Sequence, residues 1–253
     1  MKKIFLLILA AALSAGVAFA QDKTPEEVLN EALELANSGN QALEAGEYAL
    51  GLEAFQQSLQ LASAAGEIGA AHAETCKGAI CGIMLKLAKD AYRAKEWDQA
   101  VELFGQAKAV ATEYGKEDVA AEADELIISS KANQLGALAA AAKQNKDFAT
   151  AVGYYQQMVE MDPSNGGYAL QLGDAYYRMS DWDNAVAALE SAAANGQAVK
   201  ATNLLSSVYL KRCQEALKAK QYQAALDFAM KANEYKENAN AYKLAASAAR
   251  ASG

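Results

Sequence analysis

The sequence predicts an all-α protein that is assembled from copies of one helix hairpin. Three observations lead to this prediction. One pattern occurs five times: a polar residue, then an aromatic residue, a small residue three positions after it, and usually a large residue four positions further on. The aromatic residue stands at positions 48, 97, 148, 182 and 222. The chain contains only two prolines. The intervening segments are rich in Ala, Leu, Glu, Gln and Lys, which favour helices.

The first twenty residues are predicted to be a secretory signal peptide. Lys2 and Lys3 form a charged start, an apolar run follows, and Ala18-Phe19-Ala20 is a small-x-small cleavage site. The polar sequence QDKTPEE comes next, so cleavage is favoured over an uncleaved membrane anchor. We therefore expect a mature chain, residues 21–253, that forms one helical repeat domain and is periplasmic or secreted. Because no cysteine follows the cleavage site, we do not expect a lipoprotein.

The charge of the chain argues against a nucleic-acid partner. The formal net charge is −8, and removal of the two signal-peptide lysines lowers it to −10. Binding to a phosphate backbone needs a basic surface, which such a chain does not offer. After residue 20 no apolar run is long enough to cross a bilayer, so no membrane span is expected in the mature protein.

Helix-capping residues and prolines mark where helices begin and end. Thr24-Pro25-Glu26-Glu27 combines an N-cap threonine, a proline in the first turn and a glutamate at the capping-box position, which predicts a helix start. Pro163, in EMDPSNGG, predicts a helix end and a turn. Upstream of each repeated aromatic residue, a small residue nine positions earlier predicts the close crossing of another helix. These small residues are Gly39, Ala88, Ala139, Gly173 and Cys213.

The fourth copy resembles the tetratricopeptide repeat (TPR). The residues that match the consensus of that family in order and spacing are Leu172-Gly173, Tyr176, Trp182, Ala185, Leu189 and Ala192. The resemblance implies a right-handed superhelical solenoid of about five antiparallel hairpins. It also implies a non-catalytic protein that binds protein or peptide segments in a concave groove.

The spacing of the copies departs from the 34 residues expected for this family. Successive aromatic positions are separated by 49, 51, 34 and 40 residues, and the extra residues precede repeats two, three and five. We expect elongated first helices there, because about 15 residues make close to four turns and keep the apolar stripe on one face. An extra helix pair is the alternative. Gly51 and Arg212 also depart from the pattern, since an Ala and a buried Leu are expected at their positions.

Catalytic and metal-binding chemistry finds little support in the sequence. The single histidine, His72, is four residues from Cys76 on one helix face, but no third ligand is in evident reach. The three cysteines include Cys76 and Cys81, which point about 140° apart on a helix and cannot pair. We therefore expect buried free thiols, no metal, no cofactor and no enzyme activity.

Acidic residues recur at the hairpin turns and are predicted to cap the helices that follow. They are Glu47, Glu96, Asp147 and Asp181. This role leaves little reason to assign them as paired catalytic carboxylates.

The resemblance to the tetratricopeptide repeat places the partner-binding groove on the first helix of each repeat. By register, the groove positions are Asn40, Lys89, Tyr92, Arg93, Lys143, Asp174, Tyr177, Arg178, Gln214 and Lys218, together with Leu85 and Leu170. Tyr92-Arg93 and Tyr177-Arg178 occupy equivalent places, and both residue types are common at interfaces. Alternatively, these tyrosines fill space between helices and the arginines are ordinary surface residues.

Two functions are compatible with these observations. The first is an exported adaptor that holds a protein or peptide segment of unknown identity. The second is a structural protein that associates with itself through its alanine-rich end, NANAYKLAASAARASG, because such an end caps a helical stack poorly.

Overall fold

The computed structural model describes residues 23–252. These residues divide into two compact units, the first ending at Lys131 and the second beginning at Ala132. The predicted signal peptide and its cleavage site lie outside the described residues. Each unit is described here by itself.

All regular elements among residues 23–252 are helical, which confirms the all-α prediction. The helices are α1 (Pro25–Glu44), α2 (Tyr48–Ala64), α3 (Ala70–Arg93), α4 (Trp97–Glu113), α5 (Glu117–Gln144), α6 (Phe148–Met161), α7 (Gly166–Met179), α8 (Trp182–Ala192), α9 (Ala198–Lys218), α10 (Tyr222–Tyr235) and α11 (Ala239–Ser252). A 3₁₀ turn at Gly66–Gly69 precedes α3, and a π-type turn at Ala193–Gln197 precedes α9. The five hairpins are α1–α2, α3–α4, α5–α6, α7–α8 and α9–α10, and the division between the units falls within α5.

The extra residues before repeats two, three and five lengthen the first helix of each hairpin. Helices α3, α5 and α9 contain 24, 28 and 21 residues, whereas α7, in the repeat with family-like spacing, contains 14. The structure therefore favours the elongated helices over the alternative of an extra hairpin.

Each hairpin turn has the same backbone path. The residue before the second helix donates its N–H to a carbonyl five residues back, as Asp147 does to Ala142 (2.9 Å) and Asp181 to Tyr176 (3.0 Å). The residue immediately before this donor adopts a left-handed conformation, which is typical of this motif at the C-terminus of a helix. The left-handed residues are Gly46, Lys95, Lys146, Ser180 and Lys220. The unfavourable conformation of the four non-glycine residues is therefore part of the repeat itself.

The predicted helix caps are only partly correct. Thr24 forms the complete capping box with Glu27, as predicted. Asp147 and Asp181 accept hydrogen bonds from backbone N–H groups three residues later, at 3.1 and 3.5 Å. Glu47 and Glu96 make no side-chain cap, and that prediction was wrong. The additional methylene of glutamate disfavours the short contact that aspartate makes, so Glu is not among the preferred N-cap residues.

The second helix of each hairpin presents its small and large residues to the core in the predicted register. Phe104 on α4 and Leu189 on α8 are fully buried, and so are Ala100 and Ala185. The five small residues at the facing crossing positions of the first helices, Gly39, Ala88, Ala139, Gly173 and Cys213, are all buried. The unexpected glycine of repeat one has a steric reason, because a Cβ on Gly51 would stand 2.5 Å from Leu43 Cδ2.

Arg212 occupies the position where a buried leucine was expected, and the structure shows how the charge is accommodated. Its guanidinium lies 4.5 Å from the ring centroid of Phe228 and donates from Nη1 to Asp183 (2.9 Å). The side chain stays partly exposed. Arginine can thus cover apolar surface with its planar group while its charge is paired.

Gly173 and Gly153 provide a matched test of the helix crossing. An added Cβ at Gly173 would lie 2.6 Å from Leu189 Cγ, whereas one at Gly153 would meet no atom within 4 Å. We expect Gly173→Ala to destabilise the protein, because overpacking costs about 1–3 kcal/mol and the better helix propensity of alanine recovers only about 1 kcal/mol. Gly153→Ala should stabilise it by up to about 1 kcal/mol. Urea unfolding followed by circular dichroism measures both, and equal effects would contradict this packing.

Candidate protein-binding surface

The predicted groove positions of the second unit lie on neighbouring first helices that are joined by an ion pair. Lys143 at the end of α5 donates from Nζ to Asp174 Oδ2 of α7 (2.8 Å) and to Gln171 Oε1 (3.3 Å). Its ammonium group also stands 5.9 Å from the ring centroid of Tyr155. These contacts connect repeats three and four at their exposed side. The surface formed by Lys143, Asp174, Tyr177, Arg178, Gln214 and Lys218 is called the second-unit surface below.

Asp174 is shared by two cations. Arg178 Nε lies 3.5 Å from Asp174 Oδ1, whereas Lys143 Nζ contacts the other oxygen, Oδ2. The Asp174 side chain is 20% exposed and that of Arg178 is 56% exposed. One carboxylate therefore neutralises only one of two positive charges, and the more exposed of the two is the planar guanidinium. Arginine is suited to forked hydrogen bonds with a carboxylate.

The two repeated tyrosines pack against the first aromatic residue of their own hairpins. Tyr177 meets Trp182 edge to face, with ring centroids 5.7 Å apart, and Tyr92 meets Trp97 in the same way at 5.3 Å. Both tyrosines are half-buried. The structure thus gives them the space-filling role that was the alternative interpretation, and only part of each ring faces solvent.

In the first unit the equivalent positions are also engaged in ion pairs. Arg93 is exposed and donates from Nη1 to Asp90 Oδ1 (3.0 Å), and Asp90 also pairs with Lys86. These hydrogen bonds, that of Lys86 first, lower the pKa of Asp90 below its ordinary value. Lys89 pairs with Glu122 of α5 at 2.6 Å. A lysine on one first helix thus contacts an acid on the next first helix in each unit.

The remaining predicted positions differ in exposure. Asn40 and Lys218 are exposed, and Gln214 is half-buried. Leu85 and Leu170, which the register also placed in the groove, are buried in core clusters with Phe104 and Leu189 respectively. Those two leucines are core residues, because the neighbouring helices of the same unit cover them.

Sequence reasoning missed the residues that hold the predicted cations in place. These are Asp90, Glu122 and Gln171. Asp90 is three residues before Arg93, and Asp174 is four residues before Arg178, so helical spacing could have indicated both intrahelical pairs. The Glu122 contact joins two different helices and has no comparable signal in the sequence.

His72 and Cys76 belong to a buried polar cluster that is centred on Ser58. Ser58 Oγ donates to the backbone carbonyl of Ala32 (2.6 Å), and it lies 2.9 Å from His72 Nε2 and 3.3 Å from Cys76 Sγ. A serine hydroxyl has only one proton, so His72 must donate its Nε2 proton to Ser58. That nitrogen consequently has no lone pair for a metal. In the described part of the chain, no group of three or more His, Cys, Asp or Glu side chains is arranged to hold a metal ion.

The three cysteines are buried and unpaired with one another, as predicted. Burial raises the pKa of the thiols of Cys76, Cys81 and Cys213. A nucleophilic cysteine needs a lowered pKa and access to solvent. These thiols have neither, so they act as small apolar core residues.

Two buried serines allow the polar cluster to be tested. Ser206 Oγ is the buried side-chain polar atom that has no hydrogen-bond partner among residues 23–252, whereas Ser58 has three close polar neighbours. Ser58→Ala should destabilise the protein by about 1–3 kcal/mol, because it leaves buried partners unsatisfied. Ser206→Ala should raise stability by about 1 kcal/mol, because it removes an unsatisfied hydroxyl. Denaturant midpoints of the two variants check this, and a shift of the same sign in both would contradict the assignment.

Comparison with known families agrees with the hairpin geometry. The tetratricopeptide repeat family matches residues 142–207, which run from the end of α5 to within α9 and include the whole of repeat four. These residues match the model of the tetratricopeptide repeat family. Members of this structural class are scaffolds that bind other proteins on extended surfaces of stacked helices.

Solved structures similar to this chain are distant in sequence. The TPR2AB domain of yeast Sti1, in a complex with pHSP90, is 14% identical, with 86% of this chain and 98% of that chain covered and a TM-score of 0.32. BtubC (BKLC) from P. vanneervenii is 21% identical, with coverages of 85% and 92% and a TM-score of 0.29. A thermophilic TPR protein of Thermus thermophilus is 15% identical, with coverages of 87% and 98% and a TM-score of 0.26. At such scores these structures carry no argument about this chain.

No curated protein matches this chain. Among its described residues, no helix combines the length and the apolar character needed to cross a bilayer.

Proposed function

We infer that this chain is a non-catalytic scaffold of the bacterial envelope, exported by its N-terminal signal peptide, and that it holds protein or peptide segments on the first helices of its repeats. The match of residues 142–207 to the tetratricopeptide repeat family supports a role in protein binding. The Ala18-Phe19-Ala20 cleavage site supports export.

The observation that carries this proposal is the arrangement around Asp174. Two cations, Lys143 and Arg178, compete for this one carboxylate, and the Arg178 guanidinium is largely exposed beside the half-buried ring of Tyr177. A carboxylate of a partner would complete the pairing of the guanidinium. An apolar or aromatic side chain next to that carboxylate would cover the exposed part of Tyr177. The preferred partner is therefore a segment in which acidic and aromatic residues are neighbours.

The environment of the nucleophilic groups supports a binding role. The thiols are buried with raised pKa values, and the Nε2 proton of the single histidine is donated to Ser58. The turn aspartates Asp147 and Asp181 accept hydrogen bonds from helix N-termini. Each of these groups has a structural role of its own.

A peptide-binding experiment tests the second-unit surface. A fluorescently labelled peptide of alternating Asp and Phe residues should bind the purified protein, and a matched peptide with Lys in place of Asp should not. Arg178→Glu should weaken binding at least about tenfold, equivalent to about 1.4 kcal/mol, because it replaces the forked donor with a like charge. Fluorescence anisotropy measures both affinities.

Lys200→Glu is the control for that experiment. Lys200 is exposed near the start of α9, away from the second-unit surface, and its substitution changes the net charge by the same amount. Binding should be unchanged in this variant. Equal binding by wild type and Arg178→Glu, or equal loss in both variants, would overturn the assignment of this surface.

Export has a separate test. Expression of the full chain in a bacterium, followed by fractionation and N-terminal sequencing, should yield a periplasmic or secreted protein that begins at Gln21. Replacement of Ala18 and Ala20 by Gln should block cleavage, because the peptidase site needs small residues. A wild-type chain that begins at Met1 and stays in the cytoplasm would contradict export.

A further inference from the structure

The last helix, α11, has an exposed stripe that carries both apolar and basic residues. The opposite stripe packs into the second unit through Ala241 and Ala248, which are fully buried. The exposed stripe contains Tyr242, which is 55% exposed, and Ala246. Lys243 and Arg250 are exposed beside them. Helix α11 contains no acidic residue, so this stripe has a net positive charge.

The first helix, α1, has an exposed stripe of the opposite charge. Its buried stripe comprises Val28, Ala32, Ala36 and Gly39. On the opposite face, Glu26, Glu34 and Glu44 are exposed together with Asn30, Asn37 and Leu33, which is 41% exposed. Helix α1 contains no Lys or Arg. Its outer stripe is therefore acidic with one apolar side chain near its middle.

We propose that the outer stripe of α11 in one copy of this chain docks on the outer stripe of α1 in the next copy. The charges are complementary, since Lys243 and Arg250 would face Glu26, Glu34 and Glu44. The apolar residues correspond as well, because Tyr242 and Ala246 would cover Leu33. This contact uses two different surfaces, so copies associate head to tail, and repetition of the contact builds a ring or an open filament.

Helix stacking gives the contact a physical basis. In a repeat protein each helix pair packs against its neighbours, and the exposed stripes of α1 and α11 offer the same kind of helix surface to another copy. Ala246 is small enough to let another helix approach closely. One helix against one helix is a small interface, so we expect weak association that depends on concentration and on salt.

Charge reversal at both ends tests the proposal. Sedimentation velocity of the purified chain at increasing concentration in low-salt buffer should show a rising average mass. The tail variant Lys243→Glu/Arg250→Glu should stay monomeric, because its two outer stripes are then both acidic. The head variant Glu26→Lys/Glu34→Lys/Glu44→Lys should also stay monomeric. An equal mixture of the two variants should associate again, because opposite charges then meet at every junction.

A matched control separates this contact from an effect of net charge. Lys200→Glu/Lys211→Glu changes two exposed lysines on α9 and alters the charge as much as the tail variant does. Its association should equal that of wild type, and far-ultraviolet circular dichroism should show all variants folded. A wild-type chain that is monomeric at every concentration overturns the proposal. Equal loss in the control, or a mixture of variants that stays monomeric, also overturns it.

Discussion

The close crossing of the two helices in each hairpin is the interaction on which the rest of the structure depends. At each crossing the first helix contributes a small residue, and in repeat four Gly173 lies so close to Leu189 that there is no room for a Cβ. Small residues at the crossings let the helices approach closely, which fixes both their separation and their rotation. Every exposed side chain on a first helix is positioned by that rotation.

The hairpin turns reinforce the same constraint. Three residues connect the helices of four hairpins and two residues connect α7 to α8. The residue two positions before the second helix has a positive φ in all five turns, although three of these residues are lysines and one is a serine. A left-handed conformation costs about 1–2 kcal/mol for a residue with a side chain. The backbone hydrogen bonds that close the turn and the packing beneath it offset this cost. The left-handed conformation is therefore retained even at residues that are not glycine.

The candidate binding residues are the side chains that helix packing leaves exposed on the first helices. Lys143, Asp174 and Arg178 come from two helices and meet because the helices are held side by side within the second unit. The two residues of the repeated Tyr-Arg pair have different roles. Each tyrosine packs on a tryptophan, whereas each arginine is exposed. The sequence showed that the pair was repeated, but only the structure showed that packing explains the tyrosine.

The sequence by itself determined the all-α class, the five hairpins, the register of the buried face and the burial of the thiols, because these depend on periodicity and residue size along one segment. The tertiary structure decided that the extra residues lengthen first helices, that Leu85 and Leu170 belong to the core, and that Glu47 and Glu96 do not cap their helices. It also decided which charges meet, as Lys89 does with Glu122 and Arg212 with Asp183. Such contacts join residues that are distant in the chain, and their distances depend on how neighbouring helices pack, which local periodicity does not specify.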